Sequence, residues 1–252
     1  MGRPKKDRTG EIGVNTNGEE MRIIRYGNRR DIDVLFEDGT IVEHKQYNDF
    51  KNANIKNPMF PIVCEVGYFG IGNYSSKENG KLTKCYATWK GMLMRCYDSK
   101  YHEKYPTYAT CTVDKRWHNF QVFAEWYYKN YYEFEGQMMT LDKDILNKGN
   151  KVYSPNNCIF VPQFINKLFI KSDNSRGNCP IGVCKQGNRF IAQLHKGNEK
   201  QYLGSYLTVE EAFLVYKNAK ENYIKEVAEE YKLQIPQKLY DAMIAYEVEI
   251  DD

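Results

Sequence analysis

The chain has 252 residues, of which 27% are charged and 14% aromatic, and its formal net charge is +3 at pH 7. Disordered chains rarely contain so many aromatic residues, so we expect compact modules despite a mean hydropathy of −0.70. No apolar run approaches the ~18 residues that a membrane-spanning helix needs, and the first residues lack the apolar core of a signal peptide. Seven cysteines without a C-x-x-C pair argue against a secreted disulfide scaffold and a zinc ribbon. A cytoplasmic protein with no membrane partner is the simplest expectation.

The positive charge is unevenly distributed along the chain. Residues 226–252 contain eight acids and two lysines, so the residues before them carry a net charge of +9. A basic body with an acidic tail favours a polyanionic partner such as double-stranded DNA. Ordinary surface charge with a solvated tail is the alternative.

Residues 1–10 form a predicted basic arm. Its residues Arg3, Lys5 and Lys6 resemble half of an AT-hook, a segment that lies in a narrow DNA minor groove. A flexible terminus without a DNA contact is the alternative interpretation.

Residues 11–80 are predicted to form an N-terminal β module. Three short apolar or alternating segments, at 22–26, 31–36 and 40–45, have the pattern of strands, and Glu37–Gly39 supplies a hairpin turn between the last two. The pattern predicts a small β-barrel-like or curled sheet.

The hydrophobic period then changes to that of helices. Two helices are expected between residues 83 and 132, and Thr83 is a candidate N-cap of the first. Their aromatic residues are interpreted as core packing.

A different pattern covers residues 178–235. Three strands separated by Gly and Asn turns precede a long helix, which Thr208 is expected to cap with Glu210 and Glu211 in the first turn. The pattern predicts a three-stranded sheet packed on one helix, and a short helix and an acidic end follow in the tail, 236–252.

An ordered set of residues between 83 and 166 resembles phage and prophage HNH endonucleases of the ββα-metal group. The resemblance rests on Thr83, Tyr86, Trp89, Met92, Arg95, Cys96, Tyr97, Arg116, Trp117, Phe120, Phe123, Leu141, Asp142, Lys143, Asp144, Gly149, Asn150, Tyr153, Ser154, Pro155, Asn157, Cys158 and Asn166. It implies an HNH-like nuclease module over residues 81–172, with flanking helices.

The resemblance also implies roles for individual residues. Asp142 and Asn166 fall on metal-ligand positions, and Asn157 matches the asparagine that orients the two-stranded ribbon. Hard oxygen ligands suit Mg²⁺ or Mn²⁺. Lys143 occupies the position at which many relatives carry the histidine that acts as general base, and an ordinary lysine is protonated at neutral pH.

Three outcomes for this departure remain open. The metal alone activates water, another residue such as His118 supplies the base, or the site is inactive and only binds DNA. A polar, Asn-rich turn that leads into a helix is the structural alternative for the whole segment.

Residues 180–225 resemble the APETALA2 (ethylene-response-factor type) DNA-binding domain, in which a three-stranded sheet lies in the major groove. The resemblance rests on PIGV (180–183), R-F-x-A-x-L (189–194), Y-L-G-S-Y (202–206), T-x-E-E-A (208–212) and Tyr216. Alternation places Phe190, Ala192 and Leu194 towards the helix and the other side chains of that strand towards solvent or bases. The candidate DNA-binding residues are Lys185, Arg189, Gln193, His195, Lys196 and Lys200.

Together these patterns predict a modular α+β protein that binds double-stranded DNA and hydrolyses a phosphodiester with Mg²⁺, giving a nick. A homing-type, phage- or prophage-encoded protein in a bacterial host is expected. Two alternatives stay open: a catalytically inactive DNA-binding or regulatory protein on an HNH scaffold, and a phage protein that modulates a host enzyme as its protein partner.

Overall fold

The computed structural model of the chain describes residues 6–170, 179–197, 199–250 and 252. The chain divides into two compact units, Met1–Tyr127 and Tyr128–Asp252. The module predicted over residues 81–172 extends across this division, and its boundaries stay a prediction. Arg3 and Lys5 of the predicted basic arm lie outside the described residues.

The first unit contains short strands followed by helices. Its elements are β1 (Ile12–Val14), β2 (Glu20–Asn28), β3 (Asp31–Phe36), β4 (Ile41–Lys45), α1 (Tyr47–Lys51), β5 (Pro61–Val63), β6 (Gly67–Tyr68), β7 (Lys77–Glu78), β8 (Lys81–Leu82), α2 (Lys84–Tyr97), α3 (Ser99–Lys104), β9 (Thr112–Val113) and α4 (Phe120–Asn130), which ends beyond the division. Short 3-10 turns at Pro106–Tyr108 and Lys115–His118 connect the later elements.

The N-terminal strands form an open sheet in the order β1-β2-β3-β4, so the expectation of a barrel was wrong. None of the sheets in the described part of the chain closes into a barrel. Three-residue β1 and five-residue β4 lie at opposite edges, and they are too short to wrap around and pair. Phe50 of α1 packs with Met21, Ile23 and Val34 instead, and so covers the face that a closed barrel would enclose.

The two predicted helices between residues 83 and 132 are confirmed as α2 and α4. The hydroxyl of Thr83 accepts a hydrogen bond from the N–H of Tyr86, which caps α2 as expected. Trp89 of α2 and Phe120 of α4 are fully buried. The indole N–H of Trp89 donates to the Trp117 carbonyl at 2.7 Å, so the aromatic residues of this unit form a packed core with a specific polar contact.

The second unit contains a two-stranded ribbon, a three-stranded sheet and helices that pack against them. Its elements are β10 (Met139–Asp142), β11 (Val152–Tyr153), β12 (Ile159–Pro162), α5 (Gln163–Asn166), β13 (Val183–Gln186), β14 (Arg189–Lys196), β15 (Glu199–Tyr206), α6 (Val209–Tyr231) and α7 (Gln237–Ile244), with a 3-10 turn at Lys167–Phe169. β10 and β12 pair antiparallel, and so do β13, β14 and β15 in that order.

The predicted sheet-and-helix arrangement is confirmed near the end of the chain. Thr208 and Glu211 form a reciprocal capping box at the start of α6. Ala192 and Leu194 of β14 are buried against α6, as the alternation predicted. Gly182 has φ +74, and a Cβ there would lie 2.0 Å from the ring of Tyr216, so only glycine lets the chain enter β13 this close to the helix.

One helix joins the sheet to the ribbon in this unit. The first half of α6 packs on the three-stranded sheet through Ala212 and Tyr216. Its second half packs through Ile224 and Ala228 on a cluster that includes Val161 of β12. The ribbon and the three-stranded sheet therefore pack against the same helix within this unit. None of the helices in the described part of the chain is both long enough and apolar enough to cross a bilayer.

Candidate functional site

A tight turn begins at Asp142, the last residue of β10. Asp142 Oδ1 accepts hydrogen bonds from the N–H groups of Asp144 and Ile145, each at 2.8 Å. Asp142 also pairs with Ile159 across the ribbon. The strand and the turn thus fix this carboxyl from both sides, which is the local order expected of an aspartate that stabilises its own turn.

The Asp142 carboxyl has an elevated proton affinity. Burial and the nearby negative charge of Asp144 raise its pKa to about 6, and the two amide hydrogen bonds oppose this shift. Two carboxylates that repel each other at the end of a strand can be neutralised together by a cation. Lys143 already neutralises Asp144 in part, so a Mg²⁺ or Mn²⁺ site at these two carboxylates stays a prediction.

Lys143 makes an ion pair within the same turn. Its Nζ donates to Asp144 Oδ2 at 3.0 Å, and its side chain is only 9% exposed. The ammonium also lies 5.8 Å from the ring centre of Tyr153. The Lys143 amine is therefore engaged within the turn and is not open to a water molecule.

Three asparagines connect the turn to the segment before β12. Asn157 Nδ2 donates to Asn150 Oδ1 at 3.1 Å, and Asn147 Nδ2 donates to Asn157 Oδ1 at 3.2 Å. Asn150 Nδ2 in turn donates to the Lys143 carbonyl at 2.7 Å. Asn157 is therefore connected to the Lys143 carbonyl of the turn through Asn150, and its orienting role in an HNH site stays a prediction. Asn147 and Asn150 were not among the predicted site residues, although the recurrence of asparagine between 147 and 166 was the available signal.

Asn166 ends the short helix α5. β12 runs directly into α5 at Pro162, and fully buried Ile165 attaches the helix to the ribbon cluster. The ribbon strands β10 and β12 and the helix α5 therefore form one local unit, and its identity as an HNH-type ββα module stays a prediction. In the described residues no hydrogen bond joins the partly exposed Asn166 to Asp142, so the role of Asn166 as second ligand stays a prediction.

His118 belongs to the first unit and lies in a mostly enclosed position. Its ring meets Tyr97 edge-on at 6.1 Å between centres, and Nε2 is buried without a hydrogen-bond partner in the described part of the chain. Burial lowers the pKa of this imidazole and favours its neutral form. That form can accept a proton, but Nε2 is enclosed and is not exposed to water.

A second group of possible metal ligands lies in the N-terminal sheet, and sequence reasoning missed it. Oxygen and nitrogen atoms of Asp31, Asp33 and His44 all lie within 4.8 Å of one another. The guanidinium of Arg25 already pairs with both aspartates, and His44 Nδ1 lies 2.8 Å from Asp31 Oδ1. The side chain of Arg25 lowers the pKa of both carboxyls. A cation would have to displace this arginine, so we interpret the group as an ion-pair network.

The outer face of the three-stranded sheet presents polar and aromatic side chains. Arg189 is exposed, and its guanidinium donates to Oγ and to the carbonyl of Ser205 at 2.8 and 3.0 Å. Partly exposed Gln193 lies opposite Tyr202, whose side chain is 65% exposed, and exposed His195 lies opposite Lys200. Tyr202 was part of the recognised motif but was not predicted as a DNA contact. Its exposure on the polar face makes it a further candidate contact.

The remaining predicted DNA-binding lysines lie in different surroundings. Lys196 turns towards α6, where Nζ lies 3.2 Å from Glu226 Oε2 and 4.7 Å from the ring centre of Tyr223. Lys185 lies at the edge of the sheet with Nζ 6.0 Å from the Phe190 ring. Lys200 and Lys6 are exposed. Lys200 thus shares the polar face with Arg189, whereas Lys196 is engaged with the helix.

No protein-family model matches the chain, and neither a curated protein nor a solved structure matches it significantly. The functional interpretation therefore depends on the geometry of these sites.

Proposed function

We propose that the protein is a DNA-binding endonuclease of HNH type that hydrolyses a DNA phosphodiester with the help of a divalent metal. The observation that carries this proposal is the turn at Asp142. A partly enclosed carboxyl with a pKa of about 6 ends a ribbon strand beside a second carboxyl, and an asparagine network holds its turn in place. Such perturbed acids concentrate at functional sites.

The residues of the turn have distinct tasks in this proposal. Asp142 uses Oδ1 for the backbone of its own turn, which leaves Oδ2 for a cation. Asp144 supplies a second carboxylate, and its ion pair with Lys143 orients it. A bound Mg²⁺ or Mn²⁺ would stabilise the oxygen that leaves the phosphorus.

The proton of the attacking water needs a separate acceptor. Lys143 is unsuited to this task because its amine is paired with Asp144. His118, which the sequence offers as an acceptor, belongs to the other compact unit, so its role as a base stays a prediction.

The three-stranded sheet supplies the DNA contacts. Ser205 holds the Arg189 guanidinium on the exposed face, which pre-orients a side chain that pairs well with guanine edges. Tyr202 offers an exposed aromatic surface next to Gln193. Lys200 adds a cation that would contact phosphate and set position.

A second candidate function follows from the Lys143–Asp144 ion pair. The amine at the general-base position is buried and already paired with Asp144, as expected of a scaffold that has lost catalysis but still binds DNA. This is the DNA-binding or regulatory alternative, and it makes a different prediction for nicking.

One assay separates these functions. Supercoiled plasmid is incubated with Mg²⁺ or Mn²⁺ and with wild type, Asp142→Asn or Asp241→Asn, the last being an exposed aspartate of α7 that controls for the loss of one charge. Metal-dependent nicking that only Asp142→Asn abolishes supports the endonuclease. No nicking by any form, with a retained shift of duplex DNA, supports the inactive scaffold. Failure to bind any duplex at low salt contradicts both and favours a host-enzyme modulator.

A further inference from the structure

The ammonium of Lys148 binds the end of the same chain. Its Nζ donates to the Glu247 carbonyl at 2.9 Å, to Glu249 Oε2 at 2.9 Å and to Asp252 Oδ2 at 2.8 Å. An ammonium has three hydrogens, and these acceptors satisfy all of them. We call residues 247–252 the end segment. In sequence it contains four acids and no base.

Packing as well as charge holds the end segment in place. Val248 is 3% exposed and belongs to the core cluster between the sheet and α6. Its N–H donates to Glu221 Oε1 at 2.8 Å, and its carbonyl accepts from Lys217 Nζ at 2.7 Å. The chain beyond Val248 therefore starts from a fixed position, and Glu249 and Asp252 contact Lys148 from there.

The contact lies beside the candidate catalytic turn. Lys148 follows Asn147, which bonds to Asn157 of the asparagine network. The Lys148 ammonium also lies 5.4 Å from the ring centre of Tyr246. Burial and the negative charges of Asp252 and Asp144 raise the pKa of Tyr246 to about 12. The Asp144 carboxylate of the turn therefore acts electrostatically on the residue that precedes the end segment.

We propose that Lys148 binds a DNA phosphate beside the candidate site and that the end segment occupies Lys148 as an internal phosphate mimic until DNA displaces it. This inference rests on the proposed function. Two carboxylates and a carbonyl converge on one lysine much as phosphate oxygens do. The anchor at Val248 keeps the mimic close, so its effective concentration at Lys148 is high and a weak contact suffices to compete.

Charge-neutral variants test the mimic. The double variant Glu249→Gln/Asp252→Asn weakens the hold on Lys148, whereas Glu103→Gln/Glu135→Gln removes two charges from exposed sites that do not touch it. Affinity for a labelled random duplex is measured by anisotropy over a series of salt concentrations. We expect the first variant to bind about fivefold tighter than the control variant, with a salt slope steeper by about one. Adding Lys148→Ala to it should remove both gains.

A second measurement works on the wild-type chain and does not depend on how well a variant folds. Amide hydrogen exchange of peptides covering the end segment should accelerate when saturating duplex is added. The two double variants binding duplex with equal affinity would contradict the proposal of a phosphate mimic. Unchanged exchange of the end segment while wild type binds duplex would contradict it as well, and neither result would contradict the proposed function. If no form binds duplex at low salt, both proposals fail together.

Discussion

Replacing Asp142 by asparagine should stabilise the folded chain at neutral and alkaline pH. The pKa of this carboxyl rises from 3.8 to about 6 on folding, mainly because burial disfavours its charged form. A shift of about two units at ~1.4 kcal/mol each means that the ionised group opposes folding by roughly 3 kcal/mol. Asparagine keeps an oxygen for the N–H groups of Asp144 and Ile145 but carries no charge. Partial exposure of the side chain reduces the expected gain to about 2 kcal/mol.

The gain should depend on pH in a defined direction. The folded pKa of Asp142 exceeds the unfolded value, so its charge destabilises wild type only at a pH where the carboxyl ionises. This destabilisation is absent when the carboxyl is protonated in both states, grows as pH rises above 3.8 and levels off above about 6. Urea unfolding of wild type and Asp142→Asn from pH 4 to pH 8 measures it, with Asp241→Asn as the control for one lost charge. A stability gain that is as large at pH 4 as at pH 8, or a loss at pH 8, would refute this account of the turn. The more stable variant should at the same time lose metal-dependent nicking, since sites built for function retain unfavourable charge.

Three further predictions concern other parts of the chain. Asn157→Ala should destabilise the second unit by about 1–2 kcal/mol in urea unfolding, because two asparagine partners lose their hydrogen bonds, and unchanged stability would contradict the network. Tyr202→Ala should weaken duplex binding by about 1–3 kcal/mol without lowering the melting temperature, whereas Leu214→Ala, an exposed site on α6, should change neither. Arg25→Ala should lower the melting temperature at pH 7, and the difference from wild type should narrow below about pH 4, since the pKa of Asp31 is depressed in the fold and its stabilising charge disappears as it is protonated. A difference that does not change with pH would show that Arg25 acts through packing.

Local patterns predicted the regular elements well where they have a clear physical signal. The capping box at Thr208 and the alternation through Ala192 and Leu194 depend on neighbours within a few residues, so the sequence alone indicates both. The prediction of a barrel was wrong because it depends on residues that are far apart in the sequence. Whether β1 meets β4 depends on strand length, register and the position of Phe50, none of which a short window contains.

For the candidate site, too, the sequence predicted some features and the tertiary structure decided the others. The sequence by itself placed Asp142, Lys143 and Asn157 in one polar segment and identified a lysine at the position of an expected base. Only the tertiary structure decided that Lys143 pairs with Asp144, that Asn150 connects Asn157 to the turn, and that Lys148 holds Asp252, about a hundred positions further along the chain. Spacing along the chain determines periodicity and turns, whereas proton affinity and ion pairing depend on which distant groups folding brings within a few ångströms of one another.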